Sequence, residues 1–318
     1  MTNSNGAFGV PAWCVDCTRQ AHRLASPLMS VSDTRVFTLG HSPDPDDAFM
    51  FYAMAEHKID LRGYQFEHRL EDIQTLNERA LRGELDISAI SIHAYAYVSG
   101  RYALLPCGAS MGDGYGPLLV ATDPSAPEGG SPNELYDWLR GRLVAVPGKM
   151  TSAYLALQLF LGEFEHVVVP FDQIFDTVKS GRTAAGLIIH EGQLTYAAAG
   201  FNRLLDLGAW WKEKSSLPLP LGGNVVRKDL APEVRRDISH IIRESINYGL
   251  AHREAAVRHS LPYARDMDAA LAGQFIGMYV NDFTRDYGEI GRAAIREFLR
   301  SGGERGFVPA AGELEFVE

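Results

Sequence analysis

The stretch RVFTLGHSPDPDDAFMFYAMAEHKI, residues 35–59, reads as a β-strand that leaves through Gly40 and feeds an α-helix opened by its own prolines and acids. Pro45 suits a first helical turn, where a missing N–H costs nothing. Asp44 fits as N-cap, and Asp46 and Asp47 complement the positive end of the helix dipole with no ligand needed. That is one βα unit. YQFEHRLED then alternates as a strand, IQTLNERALRG has a helical period, and LDISAIS, residues 85–91, is a short apolar strand opening into IHAYAYVSG. Three such units in succession predict a parallel sheet.

Outward from there, RYALLPCGASM and GPLLVAT read as two apolar strands about a glycine-rich turn. DPSAPEGGSPNE, residues 123–134, is the strongest loop signal in the chain. A second α/β run follows: RLVAVPG strand, TSAYLALQLFLGEF helix, HVVVPF strand, QIFDTVKSG helix, and AAGLIIHE, a strand whose last residues turn polar. LGAWWKEKSSLPLPLGGNVVRKDL returns through prolines and glycines to a strand, and residues 232–300 are helical by period. The expected organisation is a loose N-terminal tail over 1–34, a discontinuous first lobe over 35–121 and 222–318, and a second lobe over 122–221. The fold class is α/β, two lobes with a ligand cleft between them.

At 318 residues the chain is long enough to divide its core between two lobes. The formal net charge of -10, without clustered Lys or Arg, argues against nucleic acid. An anionic small molecule is still admissible, because helix N-termini hold carboxylates whatever the distant charge. No run approaches the roughly 18 apolar residues of a membrane helix, so no membrane partner is expected. The first thirty residues lack an uninterrupted apolar region, and the expected location is cytoplasmic. Three cysteines, Cys14, Cys17 and Cys107, form no disulfide framework, and Cys14-x-x-Cys17 has no second pair with which to build a zinc site. Neither metal nor organic cofactor is expected: the histidines are dispersed, and Gly112-Asp113-Gly114-Tyr115-Gly116 lacks dinucleotide spacing and reads as a turn near the hinge.

His190 ends the buried-strand pattern GLII, at the carboxyl end where open α/β sheets bind ligands. As a neutral imidazole it suits a general base near pH 7; equally, it fits a core histidine bonded to Glu191 or to a neighbouring carbonyl. Ser91 precedes one helix and Thr151 and Ser152 open another, one site from each lobe. Each is a good cap, and together they form a cradle for a carboxylate. Residues 42–47, SPDPDD, can face the cleft; acids there repel a carboxylate, so contact with hydroxyls is expected. Trp210 and Trp211 fit either an aromatic ligand's wall or an interlobe packing role.

HSPDPDDAFMFYA, VPGKMTSAY, GLIIHEGQLTY, DLGAWW and LPLPLGGNVVRKDL occur in an order and at separations that resemble the 1,4-dihydroxy-6-naphthoate synthases of the futalosine menaquinone pathway, from about Val36 to about Val308. The resemblance implies a type II periplasmic-binding-protein fold and cofactor-independent, lyase-type conversion of cyclic dehypoxanthine futalosine to 1,4-dihydroxy-6-naphthoate. It implies His190 as catalytic base, with Ser42, Ala89, Ile90, Ser91, Thr151 and Ser152 around a small carboxylated aromatic precursor. Two departures stand out: Asp44 and Asp46 occupy the Cys and Asn positions of that family's usual Ser-Pro-Cys-Pro-Asn-Asp, and Met150 stands where a histidine is common. The rival readings are a solute-binding protein for a small carboxylate, since the architecture hosts both jobs, and chorismate dehydratase of the same pathway.

Overall fold

The computed structural model describes residues 35–265, 267–310 and 312–318; the tail with Cys14 and Cys17 lies outside them. Two sheets organise the chain. The first has the order β2-β1-β3-β11-β4, built from β1 (Val36–His41), β2 (Gln65–Leu70), β3 (Ile87–Ser91), β4 (Tyr102–Leu104) and β11 (Leu219–Arg227), with β5 (Ser110–Gly112) also paired to β11. The second has the order β10-β6-β9-β7-β8, from β6 (Leu118–Ala121), β7 (Val144–Val146), β8 (His166–Val168), β9 (Ala185–Ile188) and β10 (Asn202–Asp206).

Helices α1 (Pro45–Ala55), α2 (Ile73–Arg82) and α3 (Ile92–Val98) follow β1, β2 and β3. α4 (Pro132–Leu139) and α5 (Ser152–Leu161) flank β7, while α6 (Ile174–Lys179), α7 (Gly192–Thr195) and α8 (Leu207–Ser215) follow β8, β9 and β10. The C-terminal run is α9 (Pro232–Ala251), α10 (Arg253–Ser260), α11 (Ala269–Tyr279), α12 (Asp282–Arg285) and α13 (Gly288–Glu304).

Local chemistry sets these boundaries. Asp72 caps α2 by accepting from the Gln74 and Thr75 amides, and Gly83 ends it in the left-handed region at φ 72°. β3 is buried on both faces, as a central strand must be. Gly40 lets α2 close on β1, since a Cβ there would meet Leu85 Cδ1 at 2.5 Å and Leu76 Cδ2 at 2.8 Å.

Three expectations need correction. The first sheet is mixed: β1, β2 and β3 are parallel, but β11 runs antiparallel to β3 because it re-enters from the second sheet. Leu118–Ala121 pairs with β9 and β10, so the chain crosses to the second sheet before residue 118 and not after 121. The loop signal at 123–134 hides the start of α4, capped by the reciprocal Ser131–Glu134 pair.

The cores are not cleanly divided either. One apolar cluster holds Ile90 and Leu104 from the first sheet together with Leu119, Val144 and Leu187 from the second, joined by Trp211 and Phe298. A second cluster packs α1 against α9, and a third lies against α6. The sheets therefore share a dry seam on the α8–α13 side.

At the end of β1, His41 Nε2 meets His68 Nδ1 at 2.9 Å. Burial, helped by the His68 ring, pushes the His41 pKa down to about 3. A folded-state value below the ordinary 6.5 means that the unfolded chain takes up the proton first. The stability His41 confers is thus complete above about pH 6.5 and is lost as pH falls toward 3. His41→Asn is expected to remove about 1.4 kcal/mol of the stability difference between pH 7.5 and 5.5. Urea unfolding of both proteins at the two pH values checks this; parallel pH dependences would refute it.

Candidate active site

Between the two sheets lies a cavity of about 130 Å³. Ser42, Ala89, Ile90, Ser91, Thr151 and Ser152 all line it, brought there by the ends of β1 and β3 and the start of α5. No Lys or Arg lines it among the described residues.

The first turn of α5 belongs in sequence to the second sheet but is held by the first. Ser152 Oγ donates to the Leu221 carbonyl of β11 at 2.5 Å and accepts from the His93 amide at 3.1 Å. His93 Nδ1 lies 3.1 Å from the Thr151 carbonyl, so that nitrogen carries the proton, and burial lowers the ring's pKa to about 4. Thr151 Oγ accepts from the Tyr154 amide at 3.2 Å and donates to the Gly148 carbonyl at 2.9 Å. Ser91 does not cap α3 through its side chain. Its Oγ accepts from Asn77 Nδ2 at 3.0 Å, and its own proton has no acceptor among the described residues. Asn224, 1% exposed, lines the same cavity with an Oδ1 that has no donor there.

The opposite corner is the acidic start of α1. Asp47 Oδ2 accepts from the Ser42 amide at 2.7 Å; burial still pushes its pKa up to about 7. Asp44 caps no amide with its side chain. It accepts from Ser42 Oγ at 2.8 Å and from Arg265 Nη2 at 3.1 Å. Arg265 also grips both Glu191 oxygens at 2.7 Å and lies 4.5 Å from the centre of the Phe171 ring, joining the two lobes. It does so from a left-handed backbone at φ 48°, a conformation that costs a non-glycine residue about 1 kcal/mol. Asp46 lines the cavity, and no side chain bonds its carboxylate. Behind it Tyr279 donates to Gln193 Oε1 at 2.5 Å, a second buried link between lobes.

His190 does not line the cavity; Ile189 before it does. Its Nδ1 accepts from the Gly192 amide at 3.0 Å and its Nε2 donates to the Phe171 carbonyl at 3.1 Å. Phe171 and Phe175 flank the ring edge-on at 5.6 and 6.0 Å. The geometry is that of the histidine bonded to a neighbouring carbonyl: β9 ends at Ile188, and the tight start of α7 folds the ring back on its own turn. Burial is the main cause of its lowered pKa, so the imidazole is neutral at pH 7. Trp211 is wholly buried against Phe298 and Trp210 packs on Phe160, so neither walls the cavity; Phe275 and Tyr279 do.

Sequence reasoning missed Asn224, Arg265 and Tyr279. A polar residue inside the apolar run LGGNVV was a usable signal for Asn224. Arg265 and Tyr279 lie in the helical C-terminal run, where no pattern marks an inward-facing residue.

Two mixed α/β lobes with a cavity between them define a periplasmic-binding-protein-like fold. The alkanesulfonate-binding protein SsuA of Xanthomonas axonopodis pv. citri, bound to MOPS, shares it at 9% identity and a TM-score of 0.64, over 88% of this chain and 96% of that one. The chain belongs to the menaquinone biosynthesis family, whose profile matches residues 37–304. A 1,4-dihydroxy-6-naphtoate synthase of Thermus thermophilus is 38% identical over 279 residues, 88% of this chain and 98% of that relative. A protein of known crystal structure from Archaeoglobus fulgidus is 41% identical, with a TM-score of 0.79 over 86% of this chain and 98% of that one.

The hydroxyl geometry separates two residues that the sequence treats alike. Thr151→Val removes both bonds of a buried cap and is expected to cost about 1–2 kcal/mol of stability, read from urea midpoints. Ser91→Ala removes a hydroxyl proton that the fold does not use. It is expected to raise KM about fivefold, roughly one hydrogen bond, with a smaller loss of stability from the unpaired Asn77 amide. An unchanged KM for Ser91→Ala would leave that hydroxyl without a ligand.

Proposed function

We propose that this enzyme converts cyclic dehypoxanthine futalosine to 1,4-dihydroxy-6-naphthoate in menaquinone biosynthesis, acting as a carbon–carbon or carbon–oxygen lyase. The observation that carries the reading is family membership together with a cavity lined from both lobes by the substrate-binding residues the resemblance marks, His190 standing just outside it. The cavity walls supply hydroxyl and amide groups, and the start of α5 supplies free N–H groups at a positive helix end. That is a setting for a carboxylate with no cation beside it. Operation in the cytoplasm belongs to the same reading; the unpaired, buried Cys107 thiol is compatible with a reducing compartment.

His190 is the base in this proposal. Its support is a neutral imidazole one residue beyond the cavity wall, beside the Glu191–Arg265–Asp44 link. Its Nδ1 lone pair is engaged by the Gly192 amide. It therefore accepts a substrate proton only when that contact opens and the ring turns toward Ile189. Proton abstraction, loss of the sugar-derived fragment and aromatisation then follow.

Incubating the protein with cyclic dehypoxanthine futalosine, with chorismate, or with neither separates the naphthoate product, the enolpyruvyl product and unchanged ligand. Naphthoate formation is the expected outcome. His190→Ala is expected to lower turnover at least about 100-fold while ligand-induced thermal stabilisation persists. A near-normal rate would make His190 a structural tie between Phe171 and α7.

A further inference from the structure

The pairing of β3 with β11 sets the floor of the cavity. Ser91 stands opposite Gly222 and Ala89 opposite Asn224, and directly paired residues of an antiparallel ladder turn their side chains to one face. All four line the cavity. Gly223 turns to the other face, where a Cβ would meet Tyr287 Oη at 2.7 Å. At Gly222 a Cβ would meet nothing nearer than the Ile90 carbonyl at 3.5 Å, so the floor is open between Ser91 and Asn224. Several hydroxyl protons of the walls are already spent: those of Ser42, Thr151, Ser152 and Tyr279 go to Asp44, Gly148, Leu221 and Gln193. The Ser91 proton and Asn224 Oδ1 are left over.

The Asn224 amide cannot turn to find a partner. Its Nδ2 donates to the Gly108 carbonyl at 3.1 Å, and exchanging its nitrogen and oxygen would set two acceptors face to face. Gly108 gives the amide its room: at φ 78° a Cβ there would come within 2.2 Å of Nδ2. The backbone is engaged as well, the Asn224 carbonyl accepting from the Leu105 amide at 2.9 Å. Oδ1 is therefore held in one direction, on a residue 1% exposed, with no donor among the described residues. Buried acceptors are almost always paired, so one fixed without a partner in a cavity wall points to a donor that arrives with the ligand.

We propose that Asn224 is a specificity-determining residue whose Oδ1 accepts the proton of a hydroxyl on the sugar-derived part of the substrate. This inference rests on the functional reading above and deepens it. A carboxylate is excluded as the partner, because two acceptors would then meet in a buried place; a hydroxyl is admitted, and the bare floor at Gly222 leaves it room. The carboxylate falls instead to the Ser91 hydroxyl and the N–H groups at the start of α5. An analogue without the hydroxyl leaves Oδ1 unpaired, and a site built around such a bond rejects that analogue strongly. Asn224 also belongs to LPLPLGGNVVRKDL, one of the stretches that carry the family resemblance, so the role suits the family's own reaction.

The test sets cyclic dehypoxanthine futalosine beside analogues in which each hydroxyl of its sugar-derived part is replaced in turn by hydrogen. kcat/KM is measured on each with the full chain as wild type, Asn224→Ala and Asn224→Ser, the serine hydroxyl being too short to take the place of Oδ1. Wild type is expected to prefer the parent over one analogue by at least about 100-fold. In the variants that preference is expected to shrink at least about tenfold, and for that analogue alone; intrinsic reactivity cancels when enzymes are compared on the same pair of compounds. A purely structural Asn224 would instead lower the rate on all compounds alike and leave each preference unchanged. Preferences within about threefold of wild type for every analogue, in whichever variant keeps a cooperative thermal transition, overturn the proposal. So does a wild type that prefers the parent over no analogue by more than about threefold, a reading that needs no variant to fold. Both outcomes leave the lyase reading standing. A wild-type protein that makes no naphthoate overturns both.

Discussion

The first turn of α5 is threaded into the other lobe, and the site exists because of it. Ser152 Oγ is shared between a β11 carbonyl and the α3 backbone, while Gln74 and Asn77 of α2 hold the approach to the turn through Met150 and Ser91. Each such bond contributes only about 0.5–1.5 kcal/mol net, yet leaving one partner unpaired in a buried place costs more. The network therefore acts less as glue than as a specification of where Thr151 and Ser152 must stand. Behind it the seam of Trp211 and Phe298 makes the lobes one packed body on the α13 side. The opposite rim is joined more lightly, by the partly exposed Arg265 links and the Tyr279–Gln193 bond.

That rim also carries the charge. A cavity for a carboxylate would ordinarily be expected to contain a cation, and this one contains three acids instead. Arg265 compensates Asp44 from outside, and the N-terminus of α1 favours negative charge, but Asp46 and Asp47 still resist ionisation. That resistance eases the conflict, since less negative charge then faces an anionic guest at the far side of the space. The expectation that this corner meets hydroxyls and not the acid group follows from the same polarity.

How far the sequence alone could go depends on the range of the forces involved. The β1–α1, β2–α2 and β3–α3 units were legible because period, caps and prolines act within a few residues. The convergence of Ser91 with Thr151 was legible because strand ends in α/β sheets collect on one side. The direction of β11 was not, since it depends on where the chain re-enters after α8, and neither was α4, whose capping box sits inside a Pro/Gly-rich run. The orientation of the His190 ring was hidden for a similar reason. Two backbone groups fix it, one of them nineteen residues away at Phe171, and both are invisible to a reading of residue types.

The fold itself does not separate a catalyst from a carrier, since a sulfonate-binding protein shares it at 9% identity. Family membership does separate them, since the relatives at 37–38% identity are 1,4-dihydroxy-6-naphtoate synthases. A carrier gains from groups that match its ligand's ground state, and the three carboxyls of Asp44, Asp46 and Asp47 on one wall are a poor match for an anion. Their place at the start of α1, on a helix and not on a loop, fixes which part of the cavity those acids face.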